Sequence, residues 1–136
     1  MYWMNKITSI HNEWMKRVRL LSRRNKRDIE HAFILEGFRL LMEAAVSGIR
    51  FERILVDETE MSRAELQKIP QELIISVASG LLARITQLQV SPGVIAIAHM
   101  PKADKGILEN ASFIAATVGL SDPGNLGTVI RTADAV

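Results

Sequence analysis

Apolar and polar positions alternate along the first hundred residues in a way that predicts helices and strands following one another. Residues 10–24 carry apolar side chains at the spacing of one helix face, which predicts an amphipathic helix. A short apolar run at 32–35 predicts a strand, and the helical period that begins at Phe38 and is closed by Gly48 predicts a second helix. The chain is therefore expected to begin as helix, strand and helix.

Three further apolar runs predict strands at residues 53–56, 73–77 and 94–98. The last run follows Ser91-Pro92-Gly93, a composition that is typical of a tight turn. Strands that alternate with helices through short connections indicate an α/β domain built in layers rather than a helix bundle or a pair of packed sheets.

Two short helices are expected between these strands. Ser62 and Glu65 have the spacing of a capping box, and Pro70 marks the end of the helix that they would begin. Ser79 is expected to cap another helix that runs through Ile85.

A change in composition near residue 100 predicts a boundary between two units. Residues 1–99 form the first domain in this interpretation, and residues 100–110, which include the polar stretch MPKADKG, form a linker. The second unit, residues 111–136, begins with an apolar run at 113–120 that predicts a buried strand, followed by a helix that opens around Leu126.

The composition limits which classes of protein the chain can belong to. The 136 residues are 48% hydrophobic, enough for one sizeable core, and no apolar run approaches the ~18 residues that a membrane span needs. The first twenty residues lack the pattern of a secretory signal, so a cytoplasmic location is expected. Without cysteine, and with His11, His31 and His99 far apart in sequence, a metal site is not expected.

Positive charge is concentrated at the start of the chain. Residues 1–27 contain eight lysines and arginines against Glu13 alone, which makes this segment +7 and leaves −5 for the remainder. On one continuous helix, four of these cations would form a basic stripe: Lys16, Arg19, Arg23 and Arg27. A basic segment on a mildly acidic body favours a polyanionic partner. The alternative is an ordinary solvated helix face.

The most informative stretch, residues 119–135, reads GLSDPGNLGTVIRTADA and lies where the predicted strand meets the last helix. Such junctions commonly bind anions or nucleotides. Pro123 and Gly124 are expected to turn the backbone, Asn125 offers a donor and an acceptor, and Arg131 offers a fork of donors for a phosphate. The residues alone leave two interpretations open, an anion site or a capped turn with a surface arginine. The stretch matches neither the dinucleotide fingerprint nor the P-loop.

The run DPGNLGTVIRTADA resembles the first conserved motif of the SpoU (TrmH-like) RNA ribose 2'-O-methyltransferases. Earlier positions are similar to the substrate-binding domain of that family: Ser9, Asn12, Lys16, Arg27, Phe33, Glu36-Gly37 and the turn Ser91-Pro92-Gly93. The resemblance implies an α/β fold, with a ribosomal-protein-like α/β/α sandwich first. After it would come the first strand and helix of a truncated, trefoil-knotted (SPOUT-type) methyltransferase domain.

The resemblance also implies a reaction, which is methyl transfer from S-adenosylmethionine to a ribose 2'-hydroxyl of ribosomal or transfer RNA. Its catalytic roles fall on Asn125 and Arg131. A guanidinium stays protonated at neutral pH, so an orienting, phosphate-holding role is favoured over that of a general base. The family's cofactor pocket and homodimer interface lie in later motifs, beyond Val136. This chain by itself is therefore expected to be inactive and to bind S-adenosylmethionine poorly.

Other functions remain open. Glu36 is a candidate RNA-binding residue, but the favoured interpretation is that it caps the helix that starts after Gly37. Trp14 is expected in the core, and the role of Trp3 is undetermined. For the whole chain, the alternatives are a non-catalytic RNA-binding protein of ribosomal-protein-like fold and an α/β domain that binds a small molecule or another protein.

Overall fold

The computed structural model describes residues 6–104 and 106–136, so Trp3 lies outside the described residues. The chain divides into two units, Met1–Pro101 and Lys102–Val136. The helices and strands of the first unit are α1 (Glu13–Leu21), α2 (Arg24–Glu30), β1 (Ala32–Glu36), α3 (Phe38–Val46), β2 (Phe51–Asp57), β3 (Ile74–Val77) and β4 (Val94–His99). The second unit contains α4 (Gly106–Glu109) and α5 (Pro123–Ala135).

The first unit is built on a four-stranded sheet with the order β1-β4-β2-β3. Strand β4 runs antiparallel to both β1 and β2, and β3 runs parallel to β2. At the outer edge of β3, the amide of Ile7 donates to the carbonyl of Ser76 and the amide of Ala78 donates to the carbonyl of Ile7, each at 2.8 Å. The segment before α1 therefore extends the sheet by one short bridge.

Both faces of this sheet are buried, because successive side chains of the central strands point to opposite sides. On one face, buried strand residues pack with α1, and the cluster contains Met15, Val18, Leu21, Leu55, Ile95 and Ile97. On the other face they pack with α3, and the cluster contains Leu41, Ile54, Val56, Val94 and Ala96. Full burial of such a side chain contributes about 1.5–3 kcal/mol, so both helix layers are held by hydrophobic packing. The expected α/β fold is confirmed, with helices on both sides of the sheet.

The amphipathic helix predicted over 10–24 is confirmed as α1, but it ends at Leu21, and a separate helix, α2, begins at Arg24. Asn12 caps α1, since its Oδ1 accepts a hydrogen bond of 2.9 Å from the amide of Trp14. After α1, the Ser22 hydroxyl donates to the carbonyl of Val18 at 3.1 Å, and Arg23 adopts an extended backbone. A serine that bonds back to the preceding turn competes with helix continuation, and α2 starts only at Arg24.

Both predicted serine caps are wrong. Instead of a capped α-helix after Ser62, a short 3₁₀ helix covers Ala64–Lys68 and follows Arg63. The backbone amide of Ser79 donates to the carboxylate of Glu58 at 2.9 Å, and only a single 3₁₀ turn, Leu82–Arg84, forms after it. At Ser79, this bond to Glu58, 21 residues earlier in the chain, takes the place of the predicted cap.

The second unit differs from the sequence-based expectation at its predicted strand. Residues 113–120, all of them described by the structure, form no strand, and Phe113 and Val118 are 65% and 95% exposed. A strand requires a neighbouring strand for its backbone groups, and no described residue pairs with this segment. The expected helix around Leu126 is confirmed as α5, and α4 lies inside the predicted linker.

Candidate RNA-binding surface and motif helix

Two of the four cations assigned to a basic stripe lie together on α1. Lys16 and Arg19 are exposed and three residues apart, which places them on one side of the helix. The guanidinium of Arg19 donates to the carbonyl of Ile10 at 3.2 Å, so it is partly engaged with the chain before the helix. Lys16 projects into solvent.

The other two cations, Arg23 and Arg27, do not continue this face, because the helix is interrupted between α1 and α2. Arg23 precedes α2 and is exposed. Nη1 of Arg27 donates to the carbonyls of Leu21 and Ser22, at 3.2 and 3.1 Å. These carbonyls lie at the end of α1, where intrahelical partners are missing, and a nearby arginine can satisfy them. The predicted continuous stripe is therefore wrong.

Arg17 was not singled out from the sequence, yet it joins three elements. Its Nε and Nη2 bind the two carboxylate oxygens of Glu52 on β2 at 3.3 and 3.2 Å, and its Nη1 binds Glu30 on α2 at 2.5 Å. The hydrogen bond to Glu30 raises the pKa of Arg17 above its ordinary value, against the opposing effect of burial. The sequence signal is weak, because the partners are 13 and 35 residues away.

Trp14 lies beside this cluster and packs against the core beneath α1, as expected. The guanidinium carbon of Arg53 on β2 is 5.0 Å from the centre of the Trp14 ring, within the range of a cation–π contact. The indole is thereby covered by a side chain of the protein itself.

Glu36 ends β1, and its carboxylate binds the loop before β4. The Thr86 hydroxyl donates to Oε2 of Glu36 at 2.5 Å and accepts from the amide of Leu88 at 3.1 Å. Helix α3 starts after Gly37, and none of the described amides in its first turn donates to Glu36. The capping interpretation of Glu36 is therefore wrong, and its contact with RNA stays a prediction.

Two further carboxylates, Asp57 and Glu58, lie at the end of β2, on the same end of the sheet as Glu36, and the sequence analysis missed them. Asp57 is 7% exposed and accepts hydrogen bonds from the Thr59 amide, the Thr59 hydroxyl and the Gly80 amide, at 3.0, 2.7 and 3.1 Å. Burial raises the pKa of Asp57, but these hydrogen bonds outweigh it, so the pKa lies below its usual value. Glu58 binds the ammonium of Lys6, which likewise joins two segments that are distant in sequence.

The candidate catalytic residues both lie on α5 and are exposed. Pro123 and Gly124 occupy its first turn instead of forming a separate turn before it, and Asp122 caps the helix by accepting from the Gly124 amide at 3.0 Å. Asn125 and Arg131 are six positions apart, which is about 9 Å along the axis and roughly a third of a turn around it. The helix alone does not bring the two side chains to one face, so their catalytic roles stay predictions.

Arg131 is held close to its own helix. Its Nη2 donates to the Thr128 hydroxyl at 3.2 Å, and a Cβ at Gly127 would lie 3.3 Å from Nη1. The missing side chain at Gly127 therefore leaves the space along which the guanidinium lies. A larger residue there would push the guanidinium outward.

Residues 6–104 and 106–136 contain no group of three or more histidines, aspartates or glutamates arranged to hold a metal ion. Within the same ranges, no helix has both the length and the apolar character needed to cross a membrane.

Comparison with known proteins assigns the chain to a family. Residues 12–96 match the family described as the MRM3-like substrate binding domain, which is more than half of the chain. The chain belongs to this family. The matched range of the MRM3-like substrate binding domain runs from the cap of α1 to the middle of β4, so it includes Arg17, Arg23 and Glu36.

Curated relatives of this MRM3-like chain support the resemblance to SpoU-family enzymes. It is 32% identical to the 23S rRNA (guanosine(2553)-2'-O)-methyltransferase RlmP of Bacillus subtilis, over 97% of the chain and 51% of that protein. It is 29% identical to the 23S rRNA (uridine(2479)-2'-O)-methyltransferase of Streptomyces viridochromogenes, over 96% of the chain and 48% of that protein. The chain thus spans about half the length of these relatives.

Solved structures agree on the fold of the MRM3-like chain. A crystal structure described as an RNA 2'-O ribose methyltransferase has 32% identity and a TM-score of 0.68, covering 96% of this chain and 52% of that one. The AdoMet-bound rRNA methyltransferase from Sinorhizobium meliloti has 26% identity and a TM-score of 0.69, covering 96% and 51%. The resemblance to the SpoU family is confirmed by these relatives.

Proposed function

We propose that the chain provides RNA recognition and the first catalytic motif of an S-adenosylmethionine-dependent ribose 2'-O-methyltransferase that acts on ribosomal RNA. The observation that carries this proposal is the extent of the alignment. Two enzymes named as 23S rRNA 2'-O-methyltransferases align with 97% and 96% of the chain, which is more than the substrate-binding domain alone. A cytoplasmic location, a homodimer and a trefoil-knotted catalytic domain belong to the same proposal.

The basic segment is the part of the chain proposed to bind RNA. Lys16 and Arg23 are exposed and would contact phosphates, whereas Arg19 and Arg27 already donate to backbone carbonyls of the chain. Looped or single-stranded RNA is the expected form, because the major groove of A-form RNA is too narrow for side chains to enter.

In the proposed reaction, the residues of α5 would orient the ribose and phosphate of the RNA. When bound, S-adenosylmethionine would supply the methyl group: its sulfur–methyl bond breaks as the bond from the ribose 2'-oxygen to the methyl carbon forms, the neutral thioether S-adenosylhomocysteine leaves, and the hydroxyl proton passes to water. Asn125 has an amide that can both donate to and accept from a ribose hydroxyl. Arg131 can hold the neighbouring phosphate with two parallel hydrogen bonds while remaining protonated. Correct positioning of a nucleophile is a large part of catalysis, so each side chain is expected to affect turnover.

RNA binding is tested by the dependence of affinity on salt. The affinity of the chain for a labelled rRNA stem–loop is measured by fluorescence anisotropy at several salt concentrations. If Lys16 and Arg23 each contact a phosphate, the slope of log affinity against log salt is about −1.4 or steeper. The variant with Lys16 and Arg23 both changed to Glu, which leaves the carbonyl contacts of Arg19 and Arg27 in place, loses most of this binding. A slope near zero for the unmodified chain would rule out RNA recognition.

The catalytic assignment is tested in a chimera in which this chain replaces the aligned half of the Bacillus subtilis relative. Transfer of a radiolabelled methyl group to ribosomal RNA is measured once the chimera is shown to be active. Asn125→Ala and Arg131→Ala each lower the turnover number by about a hundredfold, as expected for the loss of an orienting group. Thr132→Ala, an exposed change on the same helix, leaves it unaltered. Normal methylation by both alanine variants would overturn the assignment.

A non-catalytic RNA-binding protein is the second candidate. It is favoured by the fact that the matched substrate-binding region ends at residue 96, within the first unit. Salt-dependent RNA binding combined with unaltered methylation in both α5 variants would support this candidate over an enzymatic role for the motif.

A further inference from the structure

The two-residue connection between α1 and α2, together with Arg24 at the start of α2, forms an elbow (residues 22–24) whose backbone is fixed from both sides. The Ser22 and Arg23 amides donate to carbonyls of α1, those of Val18 and Leu20, at 3.1 and 3.2 Å. The amides of Lys26 and Arg27 donate back to the Arg23 carbonyl at 3.1 and 3.2 Å. The elbow is therefore an ordered part of the surface.

Two arginines hold the elbow through their side chains. Arg27 reaches back from α2 and donates to the carbonyls of Leu21 and Ser22, where α1 ends. Arg17 ties α1 to α2 through Glu30 and to β2 through Glu52. These bonds fix the direction in which α2 leaves α1, and they compensate the charge of Glu30.

Two other arginines of the elbow, Arg23 and Arg24, are exposed. Residues 13–30 contain seven cations and only three carboxylates, and one of those carboxylates is the engaged Glu30. Adjacent guanidinium groups on a fixed backbone offer forks of donors that match phosphate oxygens. Because the main chain of the elbow is already ordered, binding would cost little backbone entropy, which favours affinity.

We propose that Arg23 and Arg24 are the phosphate-contacting residues of the elbow and that Arg27 is a positioning residue that acts through them. The partner is the sugar-phosphate backbone of a single-stranded or looped RNA. This inference rests on the proposed RNA-binding function and deepens it, because it separates the cations that contact RNA from those that shape the surface.

The first experiment measures the salt dependence of binding to a fluorescently labelled oligouridine. Each phosphate contact that is lost reduces the steepness of the log affinity against log salt plot by about 0.7 for single strands. Arg23→Gln combined with Arg24→Gln reduces it by about 1.4. The matched control combines Arg39→Gln with Lys68→Gln, which removes two exposed charges from the α3 side of the sheet and leaves the slope unchanged.

The second experiment separates contact from positioning by a double-mutant cycle. Arg27→Gln weakens binding when Arg23 and Arg24 are present and has no further effect when both are glutamine. If Arg27 contacts a phosphate itself, the loss appears in both backgrounds and the slope falls by about another 0.7, which overturns the positioning role. Circular dichroism checks folding, and Arg27→Lys replaces Arg27→Gln if the latter is unfolded at the assay temperature.

RNA binding by the chain and phosphate contact by Arg23 and Arg24 are contradicted by different results. An unmodified chain that shows no salt-dependent binding to the oligouridine or to a labelled rRNA stem–loop would overturn the RNA-binding function itself. Steep salt dependence that survives the change of Arg23 and Arg24 would leave RNA binding intact and overturn the assignment of the elbow.

Discussion

Arginine side chains in the first thirty residues have two different roles, although the sequence presents them as one basic segment. Arg17 and Arg27 bind carboxylates and carbonyls of the protein, whereas Arg23 and Arg24 face solvent. Charge alone cannot separate these roles, because a guanidinium offers five donors to whichever acceptor lies closest.

Replacement of Arg17 by Met tests its structural role. The change leaves Glu30 and Glu52, both partly buried, without their shared cation. The free energy of unfolding, measured by urea titration, is expected to fall by roughly 1–2 kcal/mol, between the values for exposed and buried pairs. Arg39→Met is the control, because the Arg39 side chain is 91% exposed and its pair with Glu43 contributes only about 0.5 kcal/mol. Equal losses in the two variants would contradict the joining role of Arg17.

Asp57 is expected to make stability depend on pH. Its pKa in the folded chain lies below its usual value, while in the unfolded chain it is near 3.9. The contribution is therefore complete above about pH 4 and is lost as the pH falls through the folded pKa. The difference in thermal midpoint between the unmodified chain and Asp57→Asn is expected to shrink on acidification. Thr59→Ala, which removes one donor, gives a smaller pH dependence, and a difference that is constant with pH would refute this account.

At the scale of elements, the turn before β4 shows how a local motif depends on its surroundings. Gly93 has a φ of +71°, and its carbonyl accepts from the Asp57 amide at 2.9 Å. A Cβ added to Gly93 would lie 2.8 Å from Cγ of Glu60, which is itself bound to Arg63. The sequence predicts the turn, but the requirement for glycine here is also steric.

A pair of glycine substitutions separates the cost of a positive φ from the cost of the steric contact with Glu60. Gly48, after α3, has a similar φ of +73°, but a Cβ added there would meet no atom within 4 Å. Gly48→Ala is expected to cost about 1 kcal/mol for the backbone alone. Gly93→Ala is expected to cost about 2–3 kcal/mol, because the contact with Glu60 adds to the backbone strain. Urea unfolding measures both, and equal costs would show that Glu60 moves aside freely.

The strands were predictable because each contains a short run of apolar residues, and burial on both faces of the sheet favours that pattern. The helices were less predictable. Helix α1 covers only Glu13–Leu21 of the predicted 10–24, and the side chains of Ser22 and Arg27 donate to carbonyls at its end. Likewise, in place of the expected cap, the Ser79 amide donates a hydrogen bond to the carboxylate of Glu58, which is distant in sequence.

At the scale of the whole molecule, the two clusters of buried residues consist entirely of side chains from Met1–Pro101. Each cluster needs the sheet and the helices on one side of it, and all of these belong to the first unit. The first unit therefore contains what a cooperative fold requires.

A chain ending at Pro101 is accordingly expected to fold by itself. Its circular dichroism should show mixed helix and strand, and its urea midpoint should lie close to that of the first transition of the 136-residue chain. A broad, non-cooperative transition in the shorter chain would mean that residues after 101 contribute to its core.

Local sequence was enough to establish the α/β class, the four strands of the sheet and the motif that marks the SpoU resemblance, because apolar periodicity and short motifs are properties of neighbouring residues. Long-range contacts determined which cations face solvent, that Glu36 binds Thr86, and that Asp57 ties β2 to the Gly80 turn. These outcomes depend on partners that the sheet brings together from positions 23 and 50 residues apart, and no local pattern encodes such pairings.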